Sequence, residues 1–402
     1  MPAAALILAF AGLALSAPIP FTMPDERLQL VRVGAAELSL WLLALDVVAV
    51  VVALGASRNG AFPALVAVAA AAMAATFAVQ PLLRLPSAIE ATDAALGALG
   101  DADVGVAMRE PRGGGFSLAD YVRGVPTGRA RVEADVPFRT VSGVTLRLDR
   151  YSTAEPGTPR PAIVAVHGGA WRGGGKGAAS FLPTSADHYF ATRGYVVYDV
   201  EYRLAPAFPY PAALEDVECA LGWVRRHAAE DGVDPERVAL LGRSAGAHLA
   251  LLAAYRAGRD PVPTGCEAPG SVRAVVSLYG PTDLRRGYED PLRPDLIDSR
   301  GVLRDFLGGA PDVFPERYAD ATPATWIAAP LPPTLLIHGS ADQLVRVDDS
   351  RGLAARLRAG GHRASLVELP WSGHGFDALF QGLGGQLALY AVERFLAAEL
   401  RP

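Results

Sequence analysis

A serine lies between two glycines within the stretch RVALLGRSAGAHLALLAAY, residues 237–255. Gly242, Ser244 and Gly246 satisfy the pattern G-x-S-x-G, with an apolar run before it and a helix-favouring run after it. In that context the pattern predicts a tight strand-to-helix turn that presents the serine hydroxyl above a sheet. A free serine hydroxyl is a weak nucleophile, so catalysis would need a base, a group that orients the base, and donors for an oxyanion.

Two later strand ends carry residues suited to the first two roles. Of the seven histidines, His374 lies in the loop after the last apolar strand-like run, and we predict that it is the base. Asp342 follows the preceding run of this kind, and we predict that it orients His374. The chain order Ser244, Asp342, His374 is that of α/β hydrolases, and it differs from the orders in chymotrypsin and subtilisin. His248 is expected to pack behind the nucleophile, and His338 is expected to be structural.

The segment VHGGAWRGGG, residues 166–175, follows the first predicted parallel strand. We predict that the backbone N–H groups of Gly169 and Ala170 join that of Ala245 as an oxyanion hole, since glycines leave such groups unobstructed. His167 and Trp171 of the same segment are expected to contact the substrate.

No cofactor or metal is expected. Gly173, Gly175 and Ala178 fit a degenerate dinucleotide pattern, but five residues separate His167 from Gly173. That fingerprint needs its first glycine in the turn directly after the strand. Neither a P-loop nor the zincin motif H-E-x-x-H is present.

Short apolar runs that alternate with helical patterns predict the element order of the second part of the chain. Continuous apolar strands separated by helices are typical of a parallel sheet that is covered on both faces. Residues 131–402 are therefore predicted to form a doubly wound, mostly parallel α/β domain. Antiparallel strands are expected within residues 132–138 and 144–152, and six further strands within 161–168, 195–202, 237–242, 272–280, 333–339 and 364–370. Residues 284–329 interrupt the alternation and are expected to form a lid-like insertion.

The first part of the chain is strongly apolar. Residues 35–54 and 62–83 each approach the length of about 20 residues that a membrane-spanning helix needs. Residues 3–17 form a third, shorter apolar segment without the basic residue that normally precedes a signal peptide. We therefore predict about three transmembrane helices in residues 1–85, followed by a linker over residues 86–130. Buried helices of a soluble domain are the alternative, and the absence of a polar face disfavours them. Asp46 is expected to face a neighbouring helix.

Charge and cysteine content bear on partners and on location. The net charge of −5 and the single lysine disfavour a nucleic-acid partner. With three spans, one side of the membrane would carry Arg27, Arg32 and Arg84, and the other side would carry Arg58 and the N-terminus. Because basic residues are more frequent on the cytoplasmic side, this distribution favours a cytoplasmic catalytic domain. A bridge between the two cysteines, Cys219 and Cys266, would instead need an oxidising compartment, whereas two separate buried thiols would not. We expect a multi-pass membrane protein with an extracytoplasmic catalytic domain.

Six segments together resemble a known family. The segments HGGAW, EYRLAPAFPYPAALEDV, GRSAGAH, YGPTDL, LIHGSAD and GHGF occur in the order found in the α/β-hydrolase superfamily. More narrowly, residues 131–402 resemble hormone-sensitive-lipase-like and feruloyl-esterase-like carboxylesterases. The resemblance implies that Ser244, Asp342 and His374 are the catalytic triad, and that residues 203–206 and Asp216 are structural. The HGGxW segment is also similar to that of kynurenine-formamidase-like enzymes, so ester and aryl-formamide substrates both stay open.

These observations lead to one expected function with two alternatives. We expect a membrane-anchored serine carboxylesterase that hydrolyses small or medium acyl esters through an acyl-enzyme, with residues 1–85 in contact with membrane lipid. An arylformamidase or peptidase of the same fold is the first alternative. An inactive hydrolase fold that serves as a binding module is the second.

Overall fold

Eight strands form one sheet at the centre of the protein. The structure is a computed structural model that describes residues 2–57, 62–97, 112–153, 159–177, 184–257, 263, 265–327 and 330–401. The strands are β1 Arg131–Val141, β2 Val144–Ser152, β3 Arg160–Val166, β4 Val196–Val200, β5 Val233–Arg243, β6 Ala274–Leu278, β7 Thr334–Gly339 and β8 Ala364–Leu369. Their order across the sheet is β1-β2-β4-β3-β5-β6-β7-β8. Strands β3 to β8 run parallel, while β1 and β2 are antiparallel, so the predicted mostly parallel sheet is confirmed.

Helices cover both faces of this sheet. The helices are α1 Pro2–Ser16, α2 Glu26–Glu37, α3 Ser39–Ser57, α4 Phe62–Leu96, α5 Leu118–Arg123, α6 Ser185–Ala191, α7 Ala212–Arg226, α8 Ala228–Asp231, α9 Ala245–Arg256, α10 Leu284–Glu289, α11 Ser299–Leu307, α12 Pro315–Asp320, α13 Val347–Ala359 and α14 Leu383–Glu399. On β3, Val164 joins the core formed with α7, α9 and α13, whereas Ile163 and Ala165 join the core formed with α6 and α14. Successive side chains of a strand point to opposite faces, so burial on both faces explains the unbroken apolar runs.

Two helices, rather than the three expected, are long and apolar enough to cross a membrane. Within the described residues these are Ser39–Ala56, which is most of α3, and Phe62–Leu96, which is α4. The third expected span corresponds to α1, whose 15 residues fall short of the usual spanning length. Alanines such as Ala9, Ala53 and Ala67 are buried where α1, α3 and α4 pack against one another. Asp46 accepts a hydrogen bond from Ser16 of α1 at 3.0 Å, so it faces a neighbouring helix as expected.

Helix α4 continues past the boundary expected at residue 85. It includes Pro81 and Pro86 and ends at Leu96, so the first part of the expected linker is helical. This part packs against the sheet domain: Leu85 and Leu96 are buried in the same core as α14, and Ser365 of β8 donates to the carbonyl of Ala95. Of the remaining linker, residues 98–111 lie outside the described residues, and α5 is the short helix that follows them.

The insertion at residues 284–329 supplies α10, α11 and α12, and its residues 328–329 lie outside the described part. Phe306 of α11 stacks on Trp171 with ring centroids 4.3 Å apart. The insertion therefore lies directly against the segment that follows β3.

A buried ion cluster and a disulfide fix the chain around α7. Asp216 is fully buried and accepts hydrogen bonds from Arg139, at 2.5 Å, and from Nε of Arg203, at 2.8 Å, which agrees with its expected structural role. Cys219 of α7 forms a disulfide with Cys266, 47 residues later. Of the two alternatives for these cysteines, the structure shows the paired state.

We expect loss of this disulfide to destabilise the protein. Cross-linking two residues removes conformational entropy from the unfolded chain, and a loop of this length corresponds to about 2–4 kcal/mol. Replacing both cysteines by serine should lower the free energy of unfolding by that amount, measured by urea denaturation. Addition of dithiothreitol should lower the stability of the wild type and leave that of the double variant unchanged. Equal sensitivity of the two proteins to the reductant would contradict the prediction.

Candidate active site

Ser244 lies in a sharp turn between β5 and α9. Its backbone has φ +53° and ψ −122°, a left-handed value that side-chain-bearing residues rarely adopt outside functional turns. Its N–H donates to the carbonyl of Leu278 at 2.9 Å. A Cβ at Gly242 would lie 2.3 Å from the carbonyl oxygen of Gly246, and one at Gly246 would lie 2.2 Å from that of His167. Both glycines of the pattern are therefore required by the close approach of backbone segments.

The three residues predicted to act together are joined by hydrogen bonds. Nε2 of His374 lies 2.9 Å from Oγ of Ser244, and Nδ1 of the same ring lies 2.7 Å from Oδ2 of Asp342. Asp342 belongs to residues 340–346 between β7 and α13, which we call the acid loop. His374 belongs to residues 370–375 after β8, which we call the base loop. Both loops leave the carboxyl edge of the sheet, where the turn of Ser244 also lies. The parallel strands thus bring His374 to Ser244, although the two residues are 130 positions apart in the chain.

Donors hold both oxygens of the Asp342 carboxylate. Oδ1 accepts hydrogen bonds from the N–H groups of Leu344, at 2.8 Å, and Val345, at 2.9 Å, while Oδ2 faces His374 and His338. Burial by itself would raise the pKa of Asp342, but the charge and hydrogen bonds of the two histidines hold that pKa below its usual range. The carboxylate therefore stays ionised and can stabilise a positive imidazole ring at His374.

His338 contacts Asp342, which its sequence position did not suggest. It is fully buried, and its Nε2 lies 3.2 Å from Oδ2 of Asp342 and 3.1 Å from the carbonyl of Val345, while Nδ1 pairs with Ser350. The expected structural role agrees with this burial, but the contact with Asp342 was missed. Its spacing of four residues before an acidic residue at a strand end is the signal that could have revealed it.

The segment after β3, residues 167–175, lies against Ser244 and is called the oxyanion loop below, after the role predicted for its N–H groups. A Cβ at Gly168 would lie 3.1 Å from Cβ of Ser244, so the loop packs directly on the serine. Gly169 has φ +122° and Ala170 has φ +53°, and within the described residues their N–H groups donate to no acceptor. Ala245 is the first residue of α9, where the N–H has no partner within the helix. They are the three N–H groups that the sequence predicts as oxyanion donors, and that role stays a prediction.

The side chains of His167 and Trp171, which were expected to contact the substrate, are buried. His167 is 5% exposed and stacks on Tyr202, with ring centroids 4.2 Å apart. Trp171 is 4% exposed and lies between Phe306 and His248. Both side chains are buried under the oxyanion loop, so they support its backbone and leave little surface for a substrate. His248 is fully buried, and its ring packs against Trp171 and Phe306.

A second buried network supports His374 from the side of Tyr279, and sequence reasoning missed it. Nε of Arg243 donates to Asp377 at 2.6 Å, and the hydroxyl of Tyr279 donates to the other oxygen of Asp377. The ring centroid of Tyr279 lies 4.5 Å from that of His374. Arg243 is the residue before Ser244, so this network links the nucleophile turn to the segment after the base loop. The sequence signal for this network was Arg243, a charged residue inside the G-x-S-x-G pattern, which would need a partner if buried.

The N-terminal segment also reaches the base loop. Glu37, at the end of α2, is fully buried and accepts hydrogen bonds from the hydroxyl of Ser372 and the N–H of Gly384, both at 2.5 Å. Burial raises the pKa of Glu37 to about 7. Residues assigned to a separate anchor are therefore part of the surroundings of the site. Among the described residues, no group of three or more His, Cys, Asp or Glu is arranged to hold a metal ion.

The sheet order, the strained serine between strand and helix, and the hydrogen-bonded Ser-His-Asp series together define an α/β-hydrolase fold with a serine-hydrolase type of site. The chain belongs to the BD-FAE family, whose model matches residues 148–357. The expected resemblance to α/β-hydrolase carboxylesterases is thereby confirmed.

Individual relatives agree with this family. The esterase LipC of Mycobacterium tuberculosis is 35% identical over 252 residues, which are 60% of this chain and 59% of LipC. The esterase LipQ of the same organism is 33% identical over 291 residues, which are 71% of this chain and 66% of LipQ. The chain thus spans less than two thirds of the length of these relatives.

Solved structures show the same fold. Thermogutta terrifontis esterase 2, in a form phosphonylated by sarin, is 29% identical with a TM-score of 0.51, over 66% of this chain and 92% of that one. Carboxyl esterase 2 of the fungus Tuber melanosporum is 22% identical with a TM-score of 0.53, over 69% of this chain and 90% of that one. At that lower identity the likeness concerns the fold alone.

The raised pKa of Glu37 predicts a pH dependence of stability. The folded protein keeps the Glu37 proton up to about pH 7, whereas the unfolded chain releases it near pH 4.5. The stabilisation from this proton is therefore complete below the unfolded pKa and is lost as the pH rises through the folded pKa. Glu37→Gln stays neutral, so its melting temperature should fall less than that of the wild type between about pH 5 and about pH 8. Differential scanning calorimetry across this range measures both slopes, and identical slopes would contradict the prediction.

Proposed function

We propose that this chain is a membrane-anchored serine carboxylesterase that hydrolyses small or medium acyl esters through an acyl-enzyme. The observation that carries the proposal is the continuous hydrogen-bonded series from Ser244 Oγ to His374 to the Asp342 carboxylate. The names of the relatives LipC and LipQ, both called esterases, support the same reaction class.

The reaction begins with the Ser244 hydroxyl. As Oγ forms a bond to the ester carbonyl carbon, its proton moves to Nε2 of His374, and the carbonyl oxygen becomes an oxyanion. The N–H groups of Gly169, Ala170 and Ala245 are proposed to donate to that oxyanion. Asp342 fixes the tautomer of His374 by accepting from Nδ1–H, and its negative charge stabilises the imidazolium.

Collapse of this intermediate releases the alcohol. The carbon–oxygen bond to the leaving group breaks, and His374 returns its proton to the departing oxygen, which leaves an acyl group on Ser244. Water then loses a proton to His374 and attacks the acyl carbon. The second tetrahedral intermediate expels Ser244 Oγ, which recovers the proton and completes the cycle.

The chemistry of one relative supports the assignment of the nucleophile. Thermogutta terrifontis esterase 2 is described as phosphonylated by sarin. An organophosphonate of this kind reacts with an activated nucleophile, because its phosphorus centre resembles the tetrahedral stage of acyl transfer. We propose that Oγ of Ser244 is the atom that such reagents would modify in this chain.

The acyl pocket is proposed to lie between the oxyanion loop and the 284–329 insertion. The stacking of Phe306 on Trp171 and an ion pair between Arg172 and Asp305, at 3.0 Å, support this arrangement. A wall built from the insertion would limit the length of the acyl group, which is the reason for proposing small and medium esters.

The membrane anchor is proposed to consist of α3 and α4, with α1 packed beside them. Large apolar side chains such as Val51 and Leu65 are exposed on these helices, while their alanines are buried in the contacts between them. Helix α3 begins two residues after Glu37, and the last part of α4 packs against β8. The two helices therefore leave and return to the same side, as a spanning hairpin would.

The catalytic domain is proposed to be extracytoplasmic. Its disulfide between Cys219 and Cys266 would persist in an oxidising compartment and would be reduced in most cytosols. For this hairpin, Arg27, Arg32 and Arg84 on the side of the catalytic domain against Arg58 alone favour the opposite placement. We give the disulfide more weight because it lies in the catalytic domain itself.

Ser244→Ala should abolish hydrolysis of short p-nitrophenyl esters and leave the thermal transition unchanged. Loss of a triad nucleophile lowers kcat by about 10⁶-fold in the related chemistry. Ser271→Ala, at an exposed serine just before β6, is the matched control and should keep wild-type kcat/KM. Retained activity in Ser244→Ala would refute the nucleophile, and failure of the wild type to react with a fluorophosphonate probe would favour an inactive binding module.

The full chain should remain in the membrane fraction after alkaline carbonate washing. Spanning helices resist this treatment, whereas proteins held at the surface are released. In spheroplasts, an impermeant protease should digest the catalytic domain, because the proposal places that domain outside the cytoplasm. Release by carbonate would refute the anchor, and protection from the protease without detergent would refute the sidedness.

A further inference from the structure

Helix α2 lies across the two loops that carry the acid and the base. Nη1 of Arg32, in the middle of α2, donates to the carbonyl of Ala341 at 2.9 Å. Ala341 immediately precedes Asp342, and the negative charge of that carboxylate attracts the guanidinium. Arg32 is only 7% exposed, so its contact with the acid loop is shielded from water.

The same helix seats directly on the base loop. A Cβ at Gly373, the residue before His374, would lie 2.8 Å from Nε2 of Gln29 and 2.8 Å from a methyl carbon of Val33. It would also lie 3.5 Å from Nη1 of Arg32. The guanidinium therefore lies between the acid loop and the base loop, and a side chain at Gly373 would displace side chains of α2.

Both ends of α2 are fixed on these loops. The backbone of Met23, just before the helix, exchanges two hydrogen bonds with the side chain of Gln343, at 3.0 and 3.2 Å. At the other end, Glu37 accepts from Ser372. The first anchor point is next to Asp342 in the chain, and the second is two residues from His374, so the helix spans the pair.

We propose that α2 positions the Asp342–His374 pair, and that Arg32 is the positioning residue that joins the acid loop to the base loop. This inference rests on the proposed esterase function. Ester hydrolysis requires His374 to stay within hydrogen-bond reach of both Ser244 and Asp342, and displacement of such a group by about 1 Å can lower the rate about 100-fold.

Packing alone does not account for a buried guanidinium, because removing its charge from water costs free energy. Burial opposes its charge and lowers the pKa of Arg32, and the carboxylate of Asp342 acts in the opposite direction. Its Nε has no hydrogen-bond partner among the described residues. An apolar side chain of similar length would fill the same space without this desolvation, so the contact with Ala341 and the attraction to Asp342 are what the arginine adds.

The test measures kcat per active site in the full-length chain. Active sites are counted by stoichiometric reaction with a fluorophosphonate, so that misfolded protein does not contribute. Arg32→Met should lower kcat about 10- to 100-fold with KM within about twofold of the wild type. Arg27→Met is the matched control, since Arg27 is an exposed arginine of the same helix, and it should keep the wild-type kcat.

Two further variants separate positioning from folding. Arg32→Lys keeps the charge and a donor, so it should recover part of the lost kcat. In a chain that carries Asp342→Asn, adding Arg32→Met should have little further effect, because the residue acts through Asp342. Wild-type kcat per site in both Arg32 variants would overturn the proposal, as would fully multiplicative losses in the double variant. A wild type that hydrolyses no ester would refute the proposed function itself.

Discussion

Three backbone segments meet behind Ser244 with no room for a side chain between them. The start of α9 touches the end of β3 at Gly246, the oxyanion loop touches the nucleophile turn at Gly168, and Gly242 touches the turn of α9. This close approach forces the serine into its left-handed backbone conformation. Because the nucleophile and the oxyanion loop are in direct contact, their relative positions are set by backbone packing and not by flexible side chains. His374, the proposed base, must therefore be held within hydrogen-bond reach of one fixed point, the hydroxyl of Ser244.

The position of His374 depends on support from two sides. On one side the ring of Tyr279 packs against it, and Asp377 ties Tyr279 to Arg243. On the other side α2 lies on the base loop. The first support comes from the same strand ends that form the site. The second comes from a segment more than 300 residues earlier in the chain, which gives the N-terminal region a part in the architecture of the site.

Much of the site could be predicted because its signals are local. Each parallel strand of the sheet contains a short apolar run, and Ser244, Asp342 and His374 each follow such a run, so the parallel sheet brings them together. The burial of His167 and Trp171 could not be predicted, because a residue type next to a glycine-rich loop does not show which way its side chain points. The boundary expected at residue 85 falls inside α4, which contains Pro81 and Pro86 and ends at Leu96. Nothing in the sequence near Arg32 indicates that its partner is the carbonyl of Ala341.

Helix α2 ends at Glu37 and α3 begins at Ser39, so Leu38 alone separates a residue bound to the base loop from a candidate membrane span. A connection of one residue leaves α2 and α3 little freedom to move relative to each other. If α3 crosses a bilayer, the catalytic machinery sits at a fixed height above the lipid and in a fixed orientation, unlike an enzyme on a flexible tether that can search a volume. Its substrates would have to come to that plane. Cleavage of the chain after α4 would release the catalytic domain from both candidate spans and leave α2 attached to them, so release would also separate the active site from one of its supports.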